Sequence, residues 1–224
     1  IVPLRFEASD ASELVSQVLY GDFFKVLEQR KKWSKIRLDF DKYEGWIDNK
    51  QYLEIEESKF KELQQSSLIY ASDLVEFIEN SQKELFPIPL GASLNGLDIL
   101  NHTHEGNTMT GIQTKENILS IAFYYLNAPY LWGGKTPFGI DCSGFTQMVY
   151  KLNGYKLLRD ASISMEPSAM KNKVPTTVSN SVTPTTTAAR QPMKTASTMI
   201  TMATDMARFT RKEFEASSTT TCCW

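Results

Sequence analysis

The chain has 224 residues, of which 42% are hydrophobic and 22% charged, and its formal net charge is −2. This composition is ordinary for a folded globular protein of one large or two to three small domains. It lacks the basic excess that binding to a phosphate backbone needs, so nucleic acid is not an expected partner. No apolar run approaches the roughly 20 residues that cross a bilayer, and no membrane span is expected.

The first 57 residues have the pattern of a small all-β unit. Strands are predicted over 2–6, 13–19, 23–27, 33–40 and 45–48. In the fourth strand the apolar Ile36, Leu38 and Phe40 alternate with charged residues, which is the period of a half-buried strand. Several short strands in so short a segment predict a small barrel.

Residues 58–112 predict a linker followed by a second β unit, and the pattern then becomes helical. One predicted helix ends before Pro129 and has an apolar face formed by Ile118, Ile121, Ala122, Tyr125 and Leu126. A second begins at Cys142, is closed by Gly154, and has an apolar face formed by Phe145, Met148, Val149 and Leu152. The loop between the two helices is rich in glycine and proline.

Cys142 is predicted to lie at the start of this second helix. The free N–H groups and the positive end of the helix dipole favour a thiolate there, so we expect the pKa of Cys142 to be lowered. The same N–H groups can receive the oxyanion that forms in acyl transfer. Without further context, a lone cysteine is more often a small buried hydrophobe.

Two segments around Cys142 carry a family resemblance. Residues 130–134 (Tyr-Leu-Trp-Gly-Gly) and 141–145 (Asp-Cys-Ser-Gly-Phe) resemble the nucleophile motif of the NlpC-type bacterial cell-wall cysteine peptidases. The resemblance extends over about residues 117–162, and the preceding β units are similar to bacterial SH3-like modules. It implies an α+β fold, with SH3-like β-barrel modules over 1–57 and 58–112 and a papain-like peptidase domain over 113–224.

The resemblance also implies roles for individual residues. The motif is most similar to the branch of γ-D-glutamyl-L-diamino-acid endopeptidases, in which Cys142 corresponds to the nucleophile and Tyr130 to a tyrosine that helps stabilise the oxyanion. Asp141 and Ser143 flank the nucleophile where that branch recognises the free amino end of an L-Ala-γ-D-Glu substrate. Two further substrate-binding candidates in this region are Trp132 and Asp160. Ordinary aromatic packing for Tyr130 and Trp132, and a solvated surface acid for Asp160, are the alternatives.

The histidine that this family uses as its base has no counterpart after Cys142. His102 and His104 both precede it, in a polar segment where they are expected to be solvated, and their spacing alone is weak support for a metal. One explanation is a pseudoenzyme. The other, which we favour, is a frameshift after about residue 162, because the chain has no glycine after Gly154 and its end is rich in threonine and methionine.

The expected substrates are murein peptides of the type L-Ala-γ-D-Glu-diamino acid, or peptidoglycan, and no cofactor or metal is implied. The alternative is a non-catalytic cell-wall-binding protein, in which Trp33, Tyr43 and Trp46 form an aromatic surface, although core packing is the favoured role for them. Redox or metal chemistry is disfavoured because no Cys-x-x-Cys pair exists. The resemblance indicates a bacterial source. It does not decide between a location in the cell envelope and a role in murein recycling in the cytoplasm.

Overall fold

The computed structural model describes residues 1–160, with an N-terminal five-stranded sheet, three smaller sheets and four α-helices among them. The predicted region after about residue 162 therefore lies outside the described residues. The predicted module boundaries at 57 and 112 stay predictions. In the part that is described, no helix has both the length and the apolar character needed to cross a membrane.

The N-terminal sheet is antiparallel and has the strand order β2-β1-β5-β4-β3. Its strands are β1 (Val2–Arg5), β2 (Leu14–Val18), β3 (Phe24–Gln29), β4 (Trp33–Leu38) and β5 (Glu44–Asp48). Ile36 and Leu38 are buried as their alternation predicts, together with Leu4, Val18 and Ile47. Phe40 was expected to continue β4 but lies beyond the end of that strand and is half-buried.

The next part of the chain joins a helix to short strands. A 3-10 turn (Asn49–Gln51) is followed by α1 (Glu57–Gln65), β6 (Ile69–Ala71), β7 (Val75–Glu79), β8 (Leu85–Pro89), α2 (Leu97–Leu100), β9 (Thr103–His104) and β10 (Thr108–Thr110). The strands form a three-stranded sheet in the order β8-β7-β9 and a pair of β10 with β6. Whether this unit is a second SH3-like module stays a prediction.

The last described part contains the two predicted helices. These are α3 (Lys115–Tyr124) and α4 (Cys142–Leu152), separated by a small hairpin of β11 (Lys135–Thr136) and β12 (Gly139–Ile140). Ile121, Ala122 and Tyr125 are buried as predicted, but Leu126 is 43% exposed because α3 ends at Tyr124, before the helical face reaches it.

One core joins α3, α4 and the residue that follows β2. The predicted apolar face of α4, formed by Phe145, Met148, Val149 and Leu152, is fully buried in it. Tyr125 meets Phe145 edge to face, with ring centroids 5.9 Å apart. Leu19, which follows β2, belongs to the same core. The N-terminal sheet is therefore packed directly against the unit that carries Cys142.

Candidate active site

The loop before α4 is held close to the N-terminal sheet by backbone contacts that only glycine permits. Gly133 has a φ of 75°, and a Cβ atom there would lie 2.4 Å from the carbonyl oxygen of Leu14 on β2. At Gly144, in the first turn of α4, a Cβ atom would lie 2.2 Å from the carbonyl oxygen of Gly134. Strand, loop and helix start are therefore in direct contact at this point.

Cys142 is the first residue of α4 and its side chain is partly buried. Burial is the main cause that raises the pKa of its thiol, and the carboxylate of Asp141 adds to the increase. The backbone N–H groups of Ser143 and Cys142, with the guanidinium of Arg159, act in the opposite direction and are outweighed. The expectation of a lowered pKa was therefore wrong, because it counted the helix start and omitted burial and the adjacent acid.

Asp141 caps α4 and is almost completely buried. Its Oδ1 accepts hydrogen bonds from the N–H of Gly144 at 2.6 Å and the hydroxyl of Ser143 at 3.1 Å. Its Oδ2 accepts from the N–H of Gly133 at 2.8 Å and from Arg159 Nη2 at 2.6 Å. A carboxylate offers about four lone-pair sites, so the structure already engages all of them. Asp141 thus holds the loop and the helix start together.

Arg159 is a site residue that the sequence did not single out. Its side chain is 2% exposed, and it donates to Asp141, to the hydroxyl oxygen of Ser143 and, at 3.2 Å through Nε, to the hydroxyl oxygen of Ser16 on β2. The partners lie 18, 16 and 143 residues away along the chain. The only local signal was its position next to Asp160, near the end of the stretch 117–162 that carries the family resemblance.

The two aromatic candidates line the loop and are accessible. Tyr130 is 41% exposed, and burial followed by the charges of Asp141 and Cys142 raises the pKa of its hydroxyl. Trp132 is 61% exposed, and its Nε1–H donates to Glu13 Oε1 at 2.6 Å. Because the charge of Cys142 affects the pKa of Tyr130, the phenol and the thiol share one electrostatic environment. Glu13, which precedes β2, was not predicted as part of the site.

Asp160 meets the N-terminal sheet through Tyr43. A hydrogen bond joins the two side chains, and the pKa of the Tyr43 hydroxyl is raised to about 12, first by burial and then by the negative charge of Asp160. Glu13, Ser16 and Tyr43 thus bring the N-terminal sheet to the predicted site residues. Which of these side chains touch a substrate stays a prediction.

The aromatic residues considered as a wall-binding surface mostly pack against other parts of the protein. Trp46 is 7% exposed and is covered by Arg30, whose guanidinium carbon lies 4.1 Å from the ring centroid. Tyr43 packs against the core of the N-terminal sheet, and Trp33 is half-buried. The packing role that we favoured for them agrees with these positions.

The two histidines lie in the second β unit. His102 stacks between Tyr20 and Phe86, and its Nδ1 is 2.8 Å from the Tyr20 hydroxyl. His104 is half-buried in β9, and its Nε2 has no hydrogen-bond partner in the structure as described. The expectation of solvated loop histidines was therefore wrong, because aromatic stacking and strand pairing hold them. Within residues 1–160 no group of three ligand-type side chains could hold a metal ion.

Comparison with known proteins identifies two family matches. Residues 4–51 match the bacterial dipeptidyl-peptidase SH3 domain, and residues 127–195 match the NlpC/P60 family. The second match continues past residue 162 into the glycine-free region, whose origin stays a hypothesis. It also contains the loop, Cys142 and Asp160 described above.

Curated relatives are similar over much of the chain. Dipeptidyl-peptidase 6 of Lysinibacillus sphaericus is 29% identical in an alignment of 189 residues that covers 68% of this chain and 66% of that protein. The γ-D-glutamyl-L-lysine dipeptidyl-peptidase of Bacillus subtilis is 30% identical in an alignment of 167 residues that covers 65% of this chain and 55% of the relative. The chain therefore spans between about half and two thirds of the length of these relatives.

A solved structure supports the fold. The crystal structure of an NlpC/P60 family protein from Bacillus cereus superposes with a TM-score of 0.55 and 18% identity, covering 66% of this chain and 58% of that one. At this identity the likeness concerns the fold alone. It confirms the predicted class, an α+β peptidase-type domain preceded by an SH3-like domain.

Proposed function

Because the chain belongs to the NlpC/P60 family and carries an N-terminal bacterial dipeptidyl-peptidase SH3 domain, we propose that its site is laid out for a cell-wall peptide hydrolase with Cys142 as nucleophile. The bond it is built for joins γ-D-glutamate to a diamino acid in murein peptides. The observation that carries the proposal is the position of Cys142, a partly buried thiol at a capped helix start that shares one electrostatic environment with the accessible Tyr130.

The chemistry follows from that position. The Cys142 thiolate attacks the γ-carbonyl carbon of D-glutamate, and the carbonyl oxygen takes up the negative charge of the tetrahedral intermediate. The N–H groups of Cys142 and Ser143, which already stabilise a thiolate, face this charge at the helix start. Collapse breaks the C–N bond, the diamino acid leaves as an amine after gaining a proton, and water then hydrolyses the thioester.

We propose that the site selects its substrate by the free amino end of the peptide. Asp160 contributes a carboxylate beside Tyr43 and Glu13 contributes one beside Trp132. A carboxylate that faces an ammonium favours a substrate with an unblocked N-terminus. Asp141, which is next to Cys142 in the chain, adds a third negative charge. The lone pairs of the Asp141 carboxylate are already engaged in hydrogen bonds. Asp141 therefore contributes to recognition indirectly, through the hydroxyl of Ser143, from which it accepts a hydrogen bond.

Turnover by these 224 residues is proposed to be low. No histidine follows Cys142 in the sequence, and the raised pKa of the Cys142 thiol keeps it protonated at neutral pH. A group that takes the thiol proton and later protonates the leaving amine is needed for both halves of the reaction. The thiol remains available for reaction with strong electrophiles.

The test separates binding from cleavage. L-Ala-γ-D-Glu-diaminopimelate and its N-acetylated form are titrated into the parent chain and the Cys142→Ala variant by calorimetry, and products are followed by mass spectrometry. We expect the free-amine peptide alone to bind, in both proteins, without cleavage. Equal binding of the acetylated peptide would contradict the proposed selection. Cleavage by the parent but not by Cys142→Ala would confirm the nucleophile and overturn the low turnover.

A further inference from the structure

Asp141 poses an electrostatic conflict at the start of α4. Its carboxylate is needed there, because it accepts hydrogen bonds from the N–H groups of Gly144 and Gly133 and so fixes the helix start to the loop. The same negative charge lies on the residue next to Cys142 and disfavours a thiolate. A buried acid in this position needs a positive partner if the neighbouring thiol is to ionise.

Arg159 supplies that partner with defined geometry. Arg159 Nη2 lies 2.6 Å from Asp141 Oδ2, and the side chains are 2% and 9% exposed, so solvent screens the pair weakly. Nη1 donates to the hydroxyl oxygen of Ser143 on the other side of Cys142. One planar guanidinium thus contacts both neighbours of the nucleophile, which the single ammonium of a lysine cannot reproduce.

The guanidinium also ties this arrangement to the N-terminal sheet. Its Nε–H donates to the hydroxyl oxygen of Ser16, a residue of β2 that is fully buried. The position of β2 therefore fixes the plane of the guanidinium, and through it the two residues that flank Cys142. The SH3 domain acts here as a support of the nucleophile.

We propose that Arg159 is a positioning residue, which holds Asp141 and Ser143 in place and offsets the Asp141 charge at Cys142, an inference that rests on the proposed function of Cys142 as nucleophile. In residues 1–160 the charged or titratable side chains that act on this thiol are those of Asp141 and Arg159, with Tyr130 sharing their environment. The opposing influence of Arg159 and Asp141 on the pKa of Cys142 agrees with this assignment.

The test measures the thiol and needs no turnover, so it is independent of the peptidase assay. The rate of alkylation by iodoacetamide is followed from pH 6 to 11 at the peptide containing Cys142 by mass spectrometry, because the chain has two other cysteines, Cys222 and Cys223. The variants are Arg159→Met and Arg159→Lys. Lys151→Met is the matched control, since it also breaks a buried ion pair, with Asp22, at the far end of α4.

The expected result is a shift of the pH midpoint. Arg159→Met raises the midpoint by about one pH unit, and Arg159→Lys, which keeps the charge, shifts it by less than about half of that. Lys151→Met lowers the melting temperature and leaves the midpoint unchanged, because it lies nine residues along the helix, roughly 13 Å away. An unchanged midpoint in Arg159→Met, or an equal shift in Lys151→Met, overturns the proposal.

A second pair of variants applies if Arg159→Met does not fold. Asp141→Asn and Asp141→Asn combined with Arg159→Met differ by the guanidinium alone and leave no buried carboxylate without a partner. The proposal expects a lower midpoint in the single variant than in the double variant. Equal midpoints would mean that Arg159 has a structural role only.

Discussion

Gly144→Ala is the most informative single substitution, because it tests the packing of the helix start against the loop. The new Cβ atom would lie 2.2 Å from the carbonyl oxygen of Gly134, whereas unstrained contacts of this kind exceed 3 Å. Relief requires movement of the helix start by about 1 Å, and overpacking of this type costs about 1–3 kcal/mol. Movement also weakens the hydrogen bond from the Gly144 N–H to Asp141, worth about 1 kcal/mol.

The higher helix propensity of alanine offsets about 1 kcal/mol of this cost, so the net loss in the free energy of unfolding is about 1–3 kcal/mol. For a chain of this size that corresponds to a fall in melting temperature of roughly 2–12 °C. Circular dichroism measures the melting curve. Gly96→Ala is the control, since a Cβ atom there meets no atom within 4 Å. A Gly144→Ala variant that melts at or above the parent temperature, while Gly96→Ala behaves normally, would refute the described contact.

Three further outcomes follow from the same contacts. Gln147→Leu removes the hydrogen bond that Gln147 Nε2 donates to Asp41 Oδ2 at 2.8 Å, and it should lower the free energy of unfolding by about 1–3 kcal/mol in urea denaturation. An unchanged free energy of unfolding would mean that water replaces the bond without loss. Lys151→Met leaves buried Asp22 without its partner and should cost about 3–5 kcal/mol, of which the double variant with Asp22→Leu recovers a large part. Alkylation of Cys142 should be slower at pH 7.5 than that of a free cysteine, and its pH midpoint should lie above that of a free cysteine, because burial and the adjacent acid raise the pKa of the thiol; a midpoint at or below that of a free cysteine contradicts the described environment.

Local patterns predicted much of the fold. The alternation at Ile36 and Leu38 identified a strand, and the helical spacing from Phe145 to Leu152 identified α4, because both signals arise from residues within one element. The nucleophile motif likewise lies in one continuous loop and helix start. Leu126 was misplaced because periodicity does not say where a helix stops.

The surroundings of Cys142 could not be predicted in the same way. Ser16 meets Arg159 across 143 residues and Glu13 meets Trp132 across 119, so no local pattern connects them. The sign of the thiol pKa shift also required the structure, since it depends on how deeply Cys142 is buried. The family resemblance of the motif predicted the chemistry of the site, whereas the electrostatic balance follows from tertiary contacts.

The central claim is that Cys142 is a nucleophile placed for a γ-D-glutamyl carbonyl, and acylation tests it most directly. The p-nitrophenyl ester of the γ-carboxylate in L-Ala-D-Glu is a suitable reagent, because p-nitrophenolate leaves without needing a proton from a catalytic base. We expect one equivalent of p-nitrophenolate and a matching mass increase located at Cys142, with neither seen in Cys142→Ala. Acylation elsewhere in the chain, or equal release by the Cys142→Ala variant, would contradict the claim.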